Sequence, residues 1–392
     1  MPIVHGRRHL VLENDMNSIK IGLSCEGNID TAFSGTAKRM RECLEAKSHH
    51  VVPMDASLSR LRRRIAAIST ISLDKGRWRS KFRYGATAGK QRAASAVRSL
   101  RGKNVDIVLQ IGASYDPPMD IPYAIYSDWN VALDEVEARE KGASRGLTPQ
   151  ELSAIGRDHA RRYRGASAIF TISEKLRQSF IEHYGIDPDR VHTAYAGPNF
   201  DASLIEDALA KPKTSTTPTV LFIGKEFHRK GGDTVAAAMK QLPAVRLVFA
   251  GSTLLPKDFA GMSNVEHLGM LDKNDPEQMQ RLLQAYRDSD VFILPTRHDP
   301  FPTVIREAMF FGMPCIASDV WAMREMIVDG ETGYLIPPND PKALSERLAQ
   351  LLGDAQLLHK FGCAARLRAE KMFRWEAVGD VLHTGIQRAL AI

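Results

Sequence analysis

Two segments of the C-terminal half hold the residues best suited to chemistry, FIGKEFHRKGG at 222–232 and LPTRHDPFPTVIREAMFFGMPCIASD at 294–319. In the first, Gly224 lets the backbone turn sharply, and Lys225, Arg229 and Lys230 set three cations beside a strand end. A diphosphate would fit there; a solvated basic turn is the bland alternative. In the second, Pro300 and Pro302 keep the chain extended until a helix opens at Thr303 or Val304, whose free N–H groups and positive dipole end suit an anion. Glu307, one turn inside that helix, would accept hydrogen bonds from two neighbouring hydroxyls such as those of a ribose, and Asp299 would hold other sugar hydroxyls. Taken singly, Glu307 reads more simply as a helix-dipole partner and Asp299 as a turn residue.

Each segment follows a predicted strand and opens a helix, where ligands of doubly wound sheets collect. The strands that must position them are short β-rich runs alternating with helical patterns. The first half offers 19–24, 105–111, 122–126, 168–172 and 191–194; the second offers 220–224, 246–251, 265–268, 291–294 and 315–318. The reading is α/β, with two Rossmann-like domains, as a chain of 392 residues exceeds what one core usually serves. KPKTSTTPT at 211–219 is the clearest linker. The expected units are a mobile extension over 1–15, an N-terminal domain over 16–205, a C-terminal domain over 206–375, and a last helix over 376–392. Asp275-Pro276 with Gln278, and Asp340-Pro341, mark helix starts.

Together the two segments resemble the retaining GT-B glycosyltransferases of family four, also called glycosyl transferases group 1, which carry a basic pair after the first C-terminal strand and an E-x7-E motif. Asp299 and Glu307 stand at that offset, and Lys225 and Lys230 fall where the family has Arg and Lys. EMIVDGETGYLIPPNDPKAL at 325–344 is similar to the family's closing segment, with Glu325 in its acidic position, Gly330 and Gly333 at the turn and Asp340 as a cap. ASAIFTISEKLRQSFIEHYGIDPDRVHTAYAG at 166–197 looks like the end of its N-terminal domain.

The resemblance implies two domains facing across a cleft, with the last helix returning to the N-terminal one. It implies transfer from a nucleotide-diphosphate sugar, with retention and without metal or cofactor, to a glycan, lipid-linked or small-molecule acceptor. The implied donor site is Gly224, Lys225, Arg229, Lys230, Asp299, Phe301, Pro302, Thr303, Val304 and Glu307, with Gly269 and Leu271 near the base. Lys225, Lys230 and Asp299 would act on the leaving diphosphate and the sugar. Three positions depart from the family: Asp299 shortens the reach of a Glu, Lys225 gives up bidentate geometry, and Pro302 removes a backbone donor. The family's N-terminal histidine is not evident, and Asp128 is placed there as a catalytic group, with a turn role as its alternative. Gly27 or Gly35, after the first strand, would let the backbone approach donor or acceptor, with a helix expected over Ser34–Lys47.

Composition excludes little else. Hydrophobic residues at 44% and charged residues at 25% describe a globular chain, and a formal charge of +7 favours anionic partners. Cys25, Cys43, Cys315 and Cys363 have no metal-ligand spacing and read as reduced, buried thiols of a cytoplasmic protein. Asp288-Ser289-Asp290 spells a metal-binding DxD but reads as a surface junction, and GATAGKQ at 85–91 falls short of a phosphate loop. The basic stretches RLRRR at 60–64 and KGRWRSKFR at 75–83 suit peripheral contact with an anionic membrane or, equally, a solvated face. The rival functions are a GT-B phosphorylase or nucleotide-sugar epimerase, a non-catalytic sugar-nucleotide sensor, and a nucleic-acid-binding protein, the last without any recognition motif.

Overall fold

Runs such as IVLQI, TVLFI and VFIL are almost wholly buried, the pattern of parallel strands covered by helices on both faces. The computed structural model describes residues 18–68, 71–74, 77–80, 85–118, 120–141, 148–214 and 216–391. The extension expected over 1–15 lies outside the described residues.

The N-terminal sheet contains β1 (Lys20–Cys25), β2 (His50–Asp55), β5 (Ile107–Ile111), β6 (Tyr123–Ser127), β7 (Ala168–Thr171) and β8 (Val191–Thr193). All are parallel, in the order β2-β1-β5-β6-β7-β8. A separate antiparallel pair joins β3 (Ile71–Asp74) to β4 (Arg77–Ser80). Helices α1 (Thr36–Glu45), α2 (Arg60–Ile68), α3 (Ala86–Ser99), α4 (Val131–Lys141), α5 (Pro149–Gly165) and α6 (Glu174–Tyr184) accompany this sheet. After α7 (Ala202–Leu209) the second sheet holds β9 (Thr219–Ile223), β10 (Arg246–Ala250), β11 (Val265–Gly269), β12 (Val291–Leu294), β13 (Cys315–Ser318) and β14 (Gly333–Ile336). Its order, β11-β10-β9-β12-β13-β14, is that of the doubly wound dinucleotide fold. Its helices are α8 (Gly232–Met239), α9 (Pro276–Asp288), α10 (Thr303–Phe310), α11 (Met323–Met326), α12 (Pro341–Gly353) and α13 (Ala355–Met372).

The last helix, α14 (Trp375–Ala391), packs on α1, β7 and β8 of the first sheet. His383 Nδ1 lies 2.8 Å from His49 Nε2, and Trp375 Nε1 donates to the Pro198 carbonyl at 2.7 Å.

The sequence reading differs from the structure at places with local causes. Helix α1 begins at Thr36, since Gly35, at φ +98°, holds a left-handed conformation that closes the preceding turn. GATAGKQ, which falls short of a phosphate loop in sequence, is the opening of α3. Cys363 is exposed, unlike the other three cysteines. Asp275 accepts the N–H groups of Glu277 and Gln278, but Gln278 bonds Asp272 N, so the capping box is only half closed. The Asp288-Ser289-Asp290 triplet clamps the linker: Thr214 donates to Asp288 at 2.6 Å, and Lys213 Nζ pairs with Asp290 at 2.7 Å. Burial would raise the Asp288 carboxyl, yet hydrogen bonds from Arg287 and Thr214 outweigh it and hold it at about 2.

Candidate active site

Strands β9 and β12 are neighbours at the point where the strand order of the second sheet reverses, so the loops that leave their carboxyl ends run side by side. The Arg229 carbonyl accepts from Arg297 N at 2.9 Å and from Thr296 Oγ1 at 3.0 Å. Gly231, at φ +79°, makes this approach possible, as a Cβ there would stand 1.9 Å from the Pro295 carbonyl oxygen. The two loops thereby bring Lys230 Nζ onto Asp299 Oδ2 as an ion pair whose side chains are 14% and 12% exposed.

The other two cations behave differently. Arg229 forks onto Glu226 at 2.9 and 3.0 Å and donates to the His298 carbonyl; its bond holds the Glu226 carboxyl below the usual range. Its guanidinium therefore shapes the loop. Lys225 is exposed, with no ion-pair partner among the described residues. Gly224 is buried against the Lys230 side chain, its N–H on the Ala250 carbonyl.

Pro302 stands at the N-cap of α10, where no side chain caps the helix, so the first-turn N–H groups of Thr303 and Val304 are left for a ligand. Phe301 is buried beneath them. Glu307 is fully buried with both oxygens engaged: Oε2 accepts from Tyr286 at 2.8 Å, while Oε1 accepts from Asn199 N at 3.2 Å and pairs with Lys273 Nζ. The sequence reading pictured this carboxylate open to two hydroxyls; here Lys273 already occupies it. Lys273 shares a loop with Gly269 and Leu271, and its ammonium sits 4.2 Å from the centroid of the Phe200 ring. A ligand at Glu307 must displace or share that ammonium.

Arg306, which no motif announces, is fully buried beside Glu307. It donates to the Phe301 carbonyl at 2.9 Å, to Thr303 Oγ1 at 3.0 Å and to the Gly197 carbonyl at 3.3 Å, and burial pushes its pKa down to about 10. One guanidinium thus fastens the helix opening to the end of the N-terminal domain.

Across the cleft the N-terminal half supplies Asp134 and Glu137 from α4. Asp134 Oδ1 lies 2.9 Å from His298 Nε2, both residues being buried, and Glu137 accepts the Trp321 N–H at 2.7 Å while pairing with Lys175. Trp321 adopts φ +53° and sets its ring edge-on to His298 at 4.9 Å. Glu325 accepts the N–H groups of Glu174 and Lys175 at 2.7 Å each, capping α6 from the opposite domain. Burial raises its carboxyl pKa, and those two bonds oppose the rise.

Asp128, the catalytic choice from sequence, is exposed at the end of β6, and no hydrogen bond or ion pair engages its side chain among the described residues. Gly35 lies near the donor side, where a Cβ would meet the Asn199 side chain at 3.7 Å; Gly27 is tied to Asp55 by its N–H at 3.3 Å. Alanine at Asp134 should cost about 1–3 kcal/mol, as it strands a buried imidazole nitrogen, whereas alanine at Asp128 should stay within about 0.5 kcal/mol. Urea unfolding of the two variants checks this, and equal midpoints would contradict it.

Among the described residues no group of three or more His, Cys, Asp and Glu is placed to hold a metal, and no helix is long and apolar enough to cross a membrane.

Residues 205–368 match the family model described as glycosyl transferases group 1. The chain is 28% identical over 229 residues to a D-inositol 3-phosphate glycosyltransferase of Xylanimonas cellulosilytica, covering 54% of each protein. It thus spans about half the length of that curated relative. Among solved structures, sucrose-phosphate synthase from Thermosynechococcus elongatus superposes with a TM-score of 0.70 at 17% identity, over 95% of this chain and 99% of that one. An Anabaena protein crystallised with UDP and glucose gives 0.64 at 14%, over 94% and 99%. The two facing doubly wound sheets are therefore a GT-B fold, and the C-terminal domain matches the glycosyl transferases group 1 family over residues 205–368.

Proposed function

We propose that the chain is a glycosyltransferase that moves a sugar from a nucleotide-diphosphate sugar to a glycan, lipid-linked or small-molecule acceptor, with retention and without metal or cofactor, in the cytoplasm. The observation that carries this reading is the Lys230–Asp299 pair, which ties the loop after β9, with its exposed Lys225, to the loop that leads into the uncapped start of α10 at the reversal point of the second sheet. The diphosphate would lie against the two ammonium groups and the N–H groups of Thr303 and Val304. Asp299, already held by Lys230, would take a sugar hydroxyl, and Glu307 would take the ribose once Lys273 swings aside.

As the bond to the anomeric carbon breaks, negative charge builds on the leaving diphosphate, and fixed cations stabilise it more than they stabilise the bound donor. The acceptor hydroxyl would arrive from the N-terminal side, past Gly35. The neighbour crystallised with UDP and glucose supports a nucleotide-sugar donor, and the relative named as a glycosyltransferase supports sugar transfer.

Screening UDP-, GDP- and ADP-sugars for thermal stabilisation identifies the donor, because a ligand of the folded state raises the melting temperature. Nucleoside diphosphate should then appear only when acceptor is supplied, at an undiminished rate in chelator. Loss of turnover on chelation would defeat the metal-free mechanism; nucleoside diphosphate released without acceptor would favour a hydrolase, and an epimeric nucleotide sugar formed without acceptor would favour an epimerase.

A further inference from the structure

Helix α2 wears its apolar side outward. Leu61, Ile65 and Ile68 are 68%, 48% and 69% exposed, and at helical spacing they fall within about 60° of one another. Ala66, on the other side, is the one buried residue of the helix, which packs on α3. Arg60 and Arg64 flank the apolar row on one side and Arg62 on the other. The first turn holds cations and no acid, so its charges repel the positive end of the helix dipole, and a nearby anionic surface would offset that repulsion.

The sequence on either side of the helix has the same bias. Residues 56–105 contain fourteen Lys and Arg against Asp74 alone, a net +13; with +7 for the whole chain, the rest carries −6. An outward apolar row bordered by arginines matches the boundary between acyl chains and anionic headgroups. A nucleic acid would be served by the cations and gain little from Leu61, Ile65 and Ile68.

The location also bears on function. Helix α2 starts just past the carboxyl end of β2, on the cleft side of its sheet, and Asp55 at that end accepts the N–H groups of Gly27 at 3.3 Å and Ser57 at 2.7 Å. The loop after β1 and the lead into α2 are thus fastened together. We propose that α2 docks on an anionic lipid bilayer and that the acceptor is borne by that bilayer, the second clause resting on the transferase reading above.

The test is sedimentation of the full chain with vesicles of phosphatidylglycerol in phosphatidylcholine and with phosphatidylcholine alone. The parent should bind only the anionic vesicles, more weakly as salt rises. A variant with both Leu61→Asp and Ile65→Asp should bind about ten-fold less or weaker still, with its melting temperature and its stabilisation by nucleotide sugar unchanged. No binding by the parent, equal binding to neutral vesicles, or an unaffected variant would overturn the proposal. So would displacement of the parent by DNA with the apolar variant binding DNA as well as the parent does. Failure of every nucleotide sugar to stabilise the parent would instead defeat the transferase reading and leave the docking result standing.

Discussion

Lys230→Ala should lower the turnover number for sugar transfer by about 10²–10³-fold, the loss typical of removing one preorganised charge donor from a developing anion. The variant loses the ammonium and also frees Asp299, which is 12% exposed at its side chain and sits where the diphosphate would approach. The donor would then meet a carboxylate left with only the Arg229 guanidinium, 4.0 Å away, in place of the close Lys230 pair. Lys230→Ala combined with Asp299→Asn should therefore recover part of the loss of donor affinity but little of the loss in turnover. Steady-state kinetics at saturating donor separates the two effects, since uniform binding lowers KM without touching kcat. Turnover within about three-fold of the parent would mean that Lys230 serves only as the partner of Asp299 and that the leaving group is stabilised elsewhere.

The nearness of the loops that carry Lys230 and Asp299, though not their ion pair, was legible because the place of both loops follows from strand order alone. Buried β-branched runs announce themselves, and a doubly wound sheet puts the ends of β9 and β12 together whatever their loops contain. The rest was hidden for a physical reason. Asp134 and His298 are 164 positions apart, and Glu325 reaches back 151 positions to Glu174, so neither contact leaves a local pattern. Lys273 is an ordinary loop lysine until the fold sets it on Glu307. Arg306 did leave a trace, a cation inside the apolar stretch VIREAMFF, where helical spacing turns it toward the core. Asp128 is a different case: its place at a strand end was legible, but sequence alone could not tell that α4, one step further, carries the acids that meet the C-terminal domain.

The same hidden contacts change what alanine at Glu307 would do. Read from sequence, Glu307 is a ligand-facing group whose removal spares the fold. Its full burial, with Tyr286, Lys273 and Asn199 N converging on it, makes it structural as well. Glu307→Ala would strand the Tyr286 hydroxyl in a fully buried site and leave Lys273, 27% exposed, to find water. Breaking such a cluster costs about 3–5 kcal/mol when both charges are buried, so the partial exposure of Lys273 places the expected loss near about 3 kcal/mol. Glu307→Gln keeps an acceptor and the side-chain volume, and should recover most of that stability while still losing transfer, because a neutral amide holds a ribose and the Lys273 ammonium less well than a carboxylate. Thermal unfolding and transfer measured on both variants test this. A Glu307→Gln protein as active as the parent would confine the residue to holding the fold together, and the nucleotide would have to be gripped by the loop that carries Gly269, Leu271 and Lys273.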